Sequence, residues 1–426
     1  MGLKLKLITK IKIRVISSSL KLIEYQLTNN GKYWNFLEFF TGKSGDYPSN
    51  KDLESFDIHK IICKNRNSPV ASKIKEASHY KLPELAKIMS DINLESMNLK
   101  KMRILFIFDN SRKNATSEVL KNLYDSANSS QINGCVLDVS KNIASQPNIE
   151  IINEIIKFSP TIIIFALHGN LNRDPKYILS KELISEIKAR IECSVALICF
   201  DIWRPSDLLF VNYWKDVATF FLHVDPIALK NISDTDLKRK FLLWPFPGAY
   251  ANQKVLVLKK NRIIFSGSIK EKDRRLWIIS MNRIVKKYNL KFQVNIFNYH
   301  TPKFRLSWSD YMNELSESLV CLSLGQKSKS HAILPGRTFD AISVGTLVLQ
   351  QEIGDDHPLS FLYNENLHYF KFNCLCEIDH LLDWISSNPY LAEQIGKSTS
   401  EFHYKHYSPE RLWRYLHFKT EELTIL

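Results

Sequence analysis

The sequence predicts an α/β protein with two doubly wound, Rossmann-like sheets and an N-terminal extension. Three observations carry that expectation. Short, continuous apolar runs alternate with segments of helical periodicity, the mark of parallel strands covered on both faces. The alternation stops at Pro245-Phe246-Pro247-Gly248 and starts again at Arg262. The chain has 426 residues, too many for one ordinary core and enough for two or three domains.

The elements follow in order. Residues 1–100 are weakly patterned. They contain a loop from Thr41 to Asn50 rich in Gly, Ser, Asp and Pro, then helix-like stretches over about 70–97. At Met102 the rhythm changes. Ile104 to Phe108 is a strand closed by Asp109-Asn110, and a helix follows from about Thr116 to Ala127. Val136 to Val139 is a second strand, and Ile149 to Phe158 a helix ended by Ser159-Pro160. Thr161 to Leu167 is a strand running into His168-Gly169. A helix from about Lys181 to Ile191 leads to the run Val195 to Phe200, closed by Asp201. Ala218 to His223 and Phe241 to Pro245 complete this half. After the break, Arg262 to Phe265 is a strand entering Ser266-Gly267-Ser268, with a helix from about Asp273 to Tyr288. Phe292 to Phe297, Leu319 to Leu324 and Thr346 to Gln350 are strands. Ser309 to Ser318 and Arg337 to Val344 are helices, and Gly325 to Gly336 is a polar, basic loop. Pro409 to Leu423 is an amphipathic helix. The expected domains are 1–100, an extension of unknown role; 101–248, a Rossmann-like domain; 249–405, a second one; and 406–426, the terminal helix.

Lysine and arginine exceed the acids by 14, which favours an anionic partner or simply a lysine-solvated surface. A diphosphate-bearing substrate, an anionic membrane surface and nucleic acid all match the charge, but no nucleic-acid motif accompanies it. The first 23 residues carry Lys4, Lys6, Lys10, Lys12, Arg14 and Lys21 and no acid. Apolar residues alternate with these charges, so the segment reads as an edge strand or arm, with membrane-surface contact as an alternative. No run is long and apolar enough to cross a bilayer. The seven cysteines are odd in number and scattered. They fit a reducing cytoplasm better than a disulfide framework or a zinc site, and the basic first segment leaves the inner face of the membrane as an alternative place within it.

Two consecutive domains of this type are expected to face each other across a cleft, an arrangement suited to joining two substrates away from water. The most informative segment is Gly336-Arg337-Thr338-Phe339-Asp340-Ala341-Ile342-Ser343-Val344-Gly345-Thr346. Its reading is a loop delivering a helix whose first turn carries Arg337 and Asp340. Free N–H groups and a positive dipole end suit phosphate there, and Arg337 suits a diphosphate in bidentate fashion. The competing reading is a capped helix with a surface Arg–Asp pair. Arg274 and Arg275, with Lys270 and Lys272, follow Gly267-Ser268 closely and are candidates to neutralise a diphosphate leaving group. His168 and Asp201, at two strand ends, are candidates for the base that deprotonates an acceptor hydroxyl. No residue cluster is placed for a metal.

The stretch from Arg262 to Leu416 resembles the C-terminal domain of GT-B glycosyltransferases, most of all the family that includes the spore maturation proteins. The resemblance runs through Phe265-Ser266-Gly267-Ser268, Tyr311 to Leu315, Ser318 to Leu324, Arg337 to Leu349, Asn388-Pro389 and Tyr407 to Leu412. Ser159 to Ile164 and Cys199-Phe200-Asp201 extend it into the first half, for about 320 residues in all. The resemblance implies transfer of a sugar from a nucleotide-diphosphate-sugar donor, without a further cofactor or metal. The acceptor would be a glycan, a lipid-linked or a protein hydroxyl, in polysaccharide or glycoconjugate synthesis, with no nucleic acid as partner. It also implies that Asp340 binds the donor ribose, that Gly345-Thr346 lies against the phosphates, and that Gly267-Ser268 faces the donor. The family usually has Glu where Asp340 stands, and many retaining members have an acid where Ala332 stands. Arg337-Thr338-Phe339-Asp340-Ala341 also resembles the exostosin-type motif. A GT-B-like chain that binds without catalysing is the alternative from another class.

Overall fold

The computed structural model describes residue 70 and residues 81–108, 115–138, 148–166, 181–199, 205–225, 229–230, 232–245, 258–268, 272–296, 306–328, 331–352 and 358–425. The expected strand at Leu3 to Val15, the loop Thr41 to Asn50 and most of the interdomain break lie outside these residues. The chain forms two compact units: residues 82–253 with 402–426, and residues 254–401 with the described residues before Leu82.

In the first unit the elements are α1 (Glu84–Asp91), β1 (Arg103–Phe108), α2 (Ala115–Ser129), β2 (Asn133–Asp138), α3 (Asn148–Phe158) and β3 (Ile162–Ala166). They continue as α4 (Lys181–Arg190), β4 (Ser194–Ile198), α5 (Pro205–Trp214), β5 (Phe220–His223), α6 (Thr235–Arg239) and β6 (Phe241–Leu243). The six strands make one parallel sheet in the order β2-β1-β3-β4-β5-β6. The apolar runs became strands because both of their faces are covered; four of the five residues of β4 are fully buried. Short helix α5 carries no amphipathic stripe readable in advance.

The second unit holds β7 (Lys260–Gly267), α7 (Lys272–Ile284), β8 (Lys291–Ile296), α8 (Trp308–Glu317), β9 (Ser318–Ser323), β10 (Gln326–Ser328), β11 (His331–Ala332), α9 (Gly336–Ser343), β12 (Leu347–Gln351), β13 (Tyr369–Phe372) and α10 (Leu375–Ser387). Helix α11 (Pro389–Tyr407) follows and passes at residue 402 into the first unit, to which the terminal helix α12 (Pro409–Ile425) belongs. There the Trp413 indole donates to Ser126 Oγ at 3.0 Å, and the Trp244 indole donates to the Leu412 carbonyl at 3.0 Å. The second sheet is again all parallel, in the order β13-β12-β9-β7-β8. Every residue of β9 and β12 is buried. The segment expected as a plain loop, Gly325 to Gly336, contains the small antiparallel pair β10–β11.

The second sheet has the doubly wound order 2-1-3-4-5 when its strands are counted from β7. Chain direction across the sheet therefore reverses between β7 and β9. In open α/β sheets ligands collect beyond the carboxyl ends of the two strands that flank such a reversal. The first sheet has the same kind of order, with its reversal between β1 and β3. The polar residues that follow those two strands, Asp109 and His168, lie outside the described residues.

Candidate active site at the switch point of the second sheet

Strand β7 ends in Ser266-Gly267, and β9 runs into Leu324-Gly325. Helix α9 starts above both. Its N-cap is Pro335, which offers no side-chain acceptor to the first-turn amides. Arg337, in that turn, extends over the end of β7. Its guanidinium lies 4.8 Å above the Phe265 ring and donates a long hydrogen bond of 3.5 Å to the Leu324 carbonyl. A methyl group on Gly267 would come within 2.5 Å of Arg337 Nη2. Glycine is thus what lets the cation settle on the strand end. The stacking contributes about 0.5–2 kcal/mol and fixes the plane of the guanidinium.

Buried polar groups anchor the same turn. Thr338 Oγ1 lies 2.7 Å from Ser323 Oγ and donates to Gln350 Oε1 at 3.1 Å. These bonds tie α9 to the carboxyl ends of β9 and β12. Each is worth about 1 kcal/mol, and orphaning a partner would cost more.

Behind Gly267, the helix α7 brings two more arginines. Arg274 Nη1 donates to the Ser268 carbonyl at 2.8 Å, and Arg274 and Arg275 are both buried. Asp340 sits one turn into α9 with only 8% of its surface exposed. Its Oδ2 accepts from the Tyr311 hydroxyl, on α8, at 2.9 Å. Burial and the neighbouring Asp340 carboxylate push the Tyr311 hydroxyl well above the ordinary tyrosine range, with Arg337 pulling the other way. Cys321, beneath, is pushed up to about 12 by burial, again against the pull of Arg337.

Gly267, Ser268, Arg274, Arg275, Arg337 and Asp340 therefore gather at one edge of the sheet. Gly345 and Thr346 do not. They follow the C-terminus of α9, which has run down to the opposite edge, where the strands begin. Thr346 Oγ1 donates to the Leu315 carbonyl at 2.6 Å and accepts from Lys259 Nζ at 3.0 Å. Lys259 also donates to the Ser316 and Val344 carbonyls, at 2.7 and 3.1 Å, and burial pulls its ammonium down to about 8. The expectation that Gly345-Thr346 lies against phosphate is corrected: helix α9 carries it about 12 Å along the helix axis from Arg337, at about 1.5 Å per residue. Gly345 ends the helix with φ +68°, the left-handed turn that glycine permits. His168 and Asp201 lie outside the described residues.

Sequence reading missed Glu352, which follows β12 at the same edge as Arg337. It is buried beside Tyr369 and Lys371. Burial pushes its carboxyl up to about 8, while Lys371 pulls it down and Glu365 adds to the rise. Only its place after an apolar run could have flagged it. Among the described residues, no group of three or more His, Cys, Asp and Glu side chains is gathered as for a metal ion, and no helix is long and apolar enough to cross a membrane.

No family model matches the chain, and no curated protein matches it. Among solved structures it is similar to HepE (Alr3699) of Anabaena in complex with UDP and glucose, at 10% identity over 76% of this chain and 100% of that one, with a TM-score of 0.44. It is also similar to a glycosyltransferase from Rickettsia africae, at 12% identity over 76% and 99% of the two chains, TM-score 0.47. A third is BGT of T4 phage in complex with UDP and Mn2+, at 13% identity over 75% and 99%, TM-score 0.45.

Proposed function

We propose that this chain is a glycosyltransferase of the GT-B kind, moving a sugar from a nucleoside-diphosphate sugar to an acceptor hydroxyl. The observation that carries the reading is the placement of Arg337. A cation on the first turn of an uncapped helix, stacked on Phe265 and seated against Gly267, occupies the switch point of a doubly wound sheet. That is where such sheets hold phosphorylated ligands.

The chemistry follows from charge. Breaking the anomeric C–O bond leaves the electron pair on the diphosphate, whose negative charge grows in the transition state. A preplaced guanidinium and the dipole end of α9 stabilise that charge more than the ground state, which is what accelerates the step. Arg274, bonded to the Ser268 carbonyl, holds the backbone turn at the end of β7 in place. Asp340, oriented by Tyr311, is assigned to the ribose hydroxyls through the small part of its surface left open. The acceptor proton is assigned to His168 or Asp201, the polar residues that follow the apolar runs of β3 and β4.

The test is turnover. Purified chain incubated with UDP-, GDP- and ADP-sugars should release the nucleoside diphosphate from one of them. Arg337→Ala should lower kcat/KM by about 100-fold, the loss of one charge-stabilising contact. Nucleotide binding with no release from any donor, with or without a panel of sugar acceptors, would make the chain a binding protein instead.

A further inference from the structure

We propose that Trp308 is the platform on which the base of the nucleotide stacks, an inference that rests on the donor reading above. The geometry starts with chain direction. Helix α8 leads directly into β9, which begins at the amino edge of the sheet. The helix runs antiparallel to that strand, so its first residue, Trp308, stands at the carboxyl edge, the same edge as the start of α9. The residues α8 buries are Tyr311, Met312, Leu315 and Ser316. Trp308 precedes Tyr311 by one turn and continues this stripe past the end of the packed interior. Its indole is only half-buried.

What Trp308 does touch points along the site. Its ring lies 5.5 Å from that of Tyr311, tilted by 54°. The hydroxyl of Tyr311 is bonded to Asp340, and Asp340 is one helical turn from Arg337. One ring contact, one hydrogen bond and one turn thus connect a half-open indole to the phosphate-side arginine. A base, a ribose and a diphosphate follow one another in the same sequence. An indole has no need of a particular base edge, because every base offers a π-face. The platform therefore supplies affinity, and the choice among bases falls to other groups.

Titrations of UDP, GDP, ADP and inorganic pyrophosphate against wild type, Trp308→Ala, Trp308→Phe and Arg337→Ala test this. For the nucleotide that the wild type binds, Trp308→Ala should weaken binding about ten-fold or more, and Trp308→Phe by less. Pyrophosphate binding should be unchanged in both, whereas Arg337→Ala should weaken every ligand. Nucleotide should also quench tryptophan fluorescence in the wild type and not in Trp308→Phe. If Trp308→Ala does not fold, the phenylalanine variant and its fluorescence decide. Undiminished nucleotide affinity in the Trp308 variants overturns the proposal while leaving the donor reading standing. Equal loss of nucleotide and pyrophosphate also overturns it, because the indole is then a structural support. A wild type that binds pyrophosphate but no nucleotide refutes the platform, and one that binds none of the four refutes the donor reading with it.

Discussion

Gly267 shows how one missing side chain sets up a site. A Cβ there would collide with the Arg337 guanidinium at 2.5 Å and with its Cζ at 2.9 Å. The colliding group is the far end of a flexible side chain, so it can swing away. Gly267→Ala should therefore still fold, with stability lowered by no more than the about 0.5–2 kcal/mol of the displaced stacking. It should weaken donor binding by about ten- to a hundred-fold, because a charge-assisted contact of about 1.5–3 kcal/mol is misplaced. Calorimetric titration against thermal melting separates the two effects. Full affinity in a variant that folds normally would mean that Arg337 need not lie on the strand end.

At the scale of elements, helix α11 makes the opposite case. A Cβ on Gly396 would stand 2.5 Å from the Gly345 carbonyl oxygen and 2.8 Å from the Leu347 amide nitrogen. Both are backbone atoms at the turn that ends α9, and neither can rotate out of the way. Alanine gains about 1 kcal/mol over glycine in a helix interior, yet overpacking costs about 1–3 kcal/mol. The clash should win. Gly396→Ala is expected to lower the melting temperature, and a rise would show that α11 can back away freely. The same turn explains what the sequence could and could not reveal. The apolar runs of β7, β9 and β12 and the Arg337 helix were readable, since burial on both faces and a polar first turn leave local marks. The phosphate contact of Gly345 and Thr346 is implied by the family resemblance alone, with no local mark in the residues. The helix between them and Arg337 carries them to the far edge of the sheet. Contacts that depend on chain reversal, such as Tyr311 with Asp340 or Glu352 with Tyr369, have no local signature. Helices α10 and α11 and strand β13 carried too weak a pattern against the surrounding loops.

At the scale of the whole molecule, the two units carry opposite pH dependences. In the first, His223 and His403 are buried and held neutral, each pulled down to about 4 from 6.5 by burial. Between those values the unfolded chain binds protons that the folded one refuses. Their contribution to stability is complete above pH 6.5 and is lost as the pH falls towards 4, by up to about 1.4 kcal/mol per pH unit for each group. In the second unit Glu352 is raised from 4.5 to about 8. Here the folded state keeps a proton the unfolded chain releases. Its contribution is complete below pH 4.5 and disappears as the pH rises through 8. Hydrogen exchange, corrected for intrinsic rates, should show core amides of the first sheet losing protection from pH 6.5 down to 4. Those of the second sheet should lose it from 4.5 up to 8, and Glu352→Gln should flatten that limb. Parallel behaviour of both sheets would contradict the assignment.

Donor binding depends on one place, the carboxyl ends of β7 and β9 beneath the first turn of α9. A crystal of the chain soaked with UDP and GDP measures it directly. Diphosphate density is expected within hydrogen-bonding distance of the Arg337 guanidinium and beside Gly267. A diphosphate bound at the amino edge near Gly345, Thr346 and Lys259, or bound away from the second sheet altogether, would contradict it.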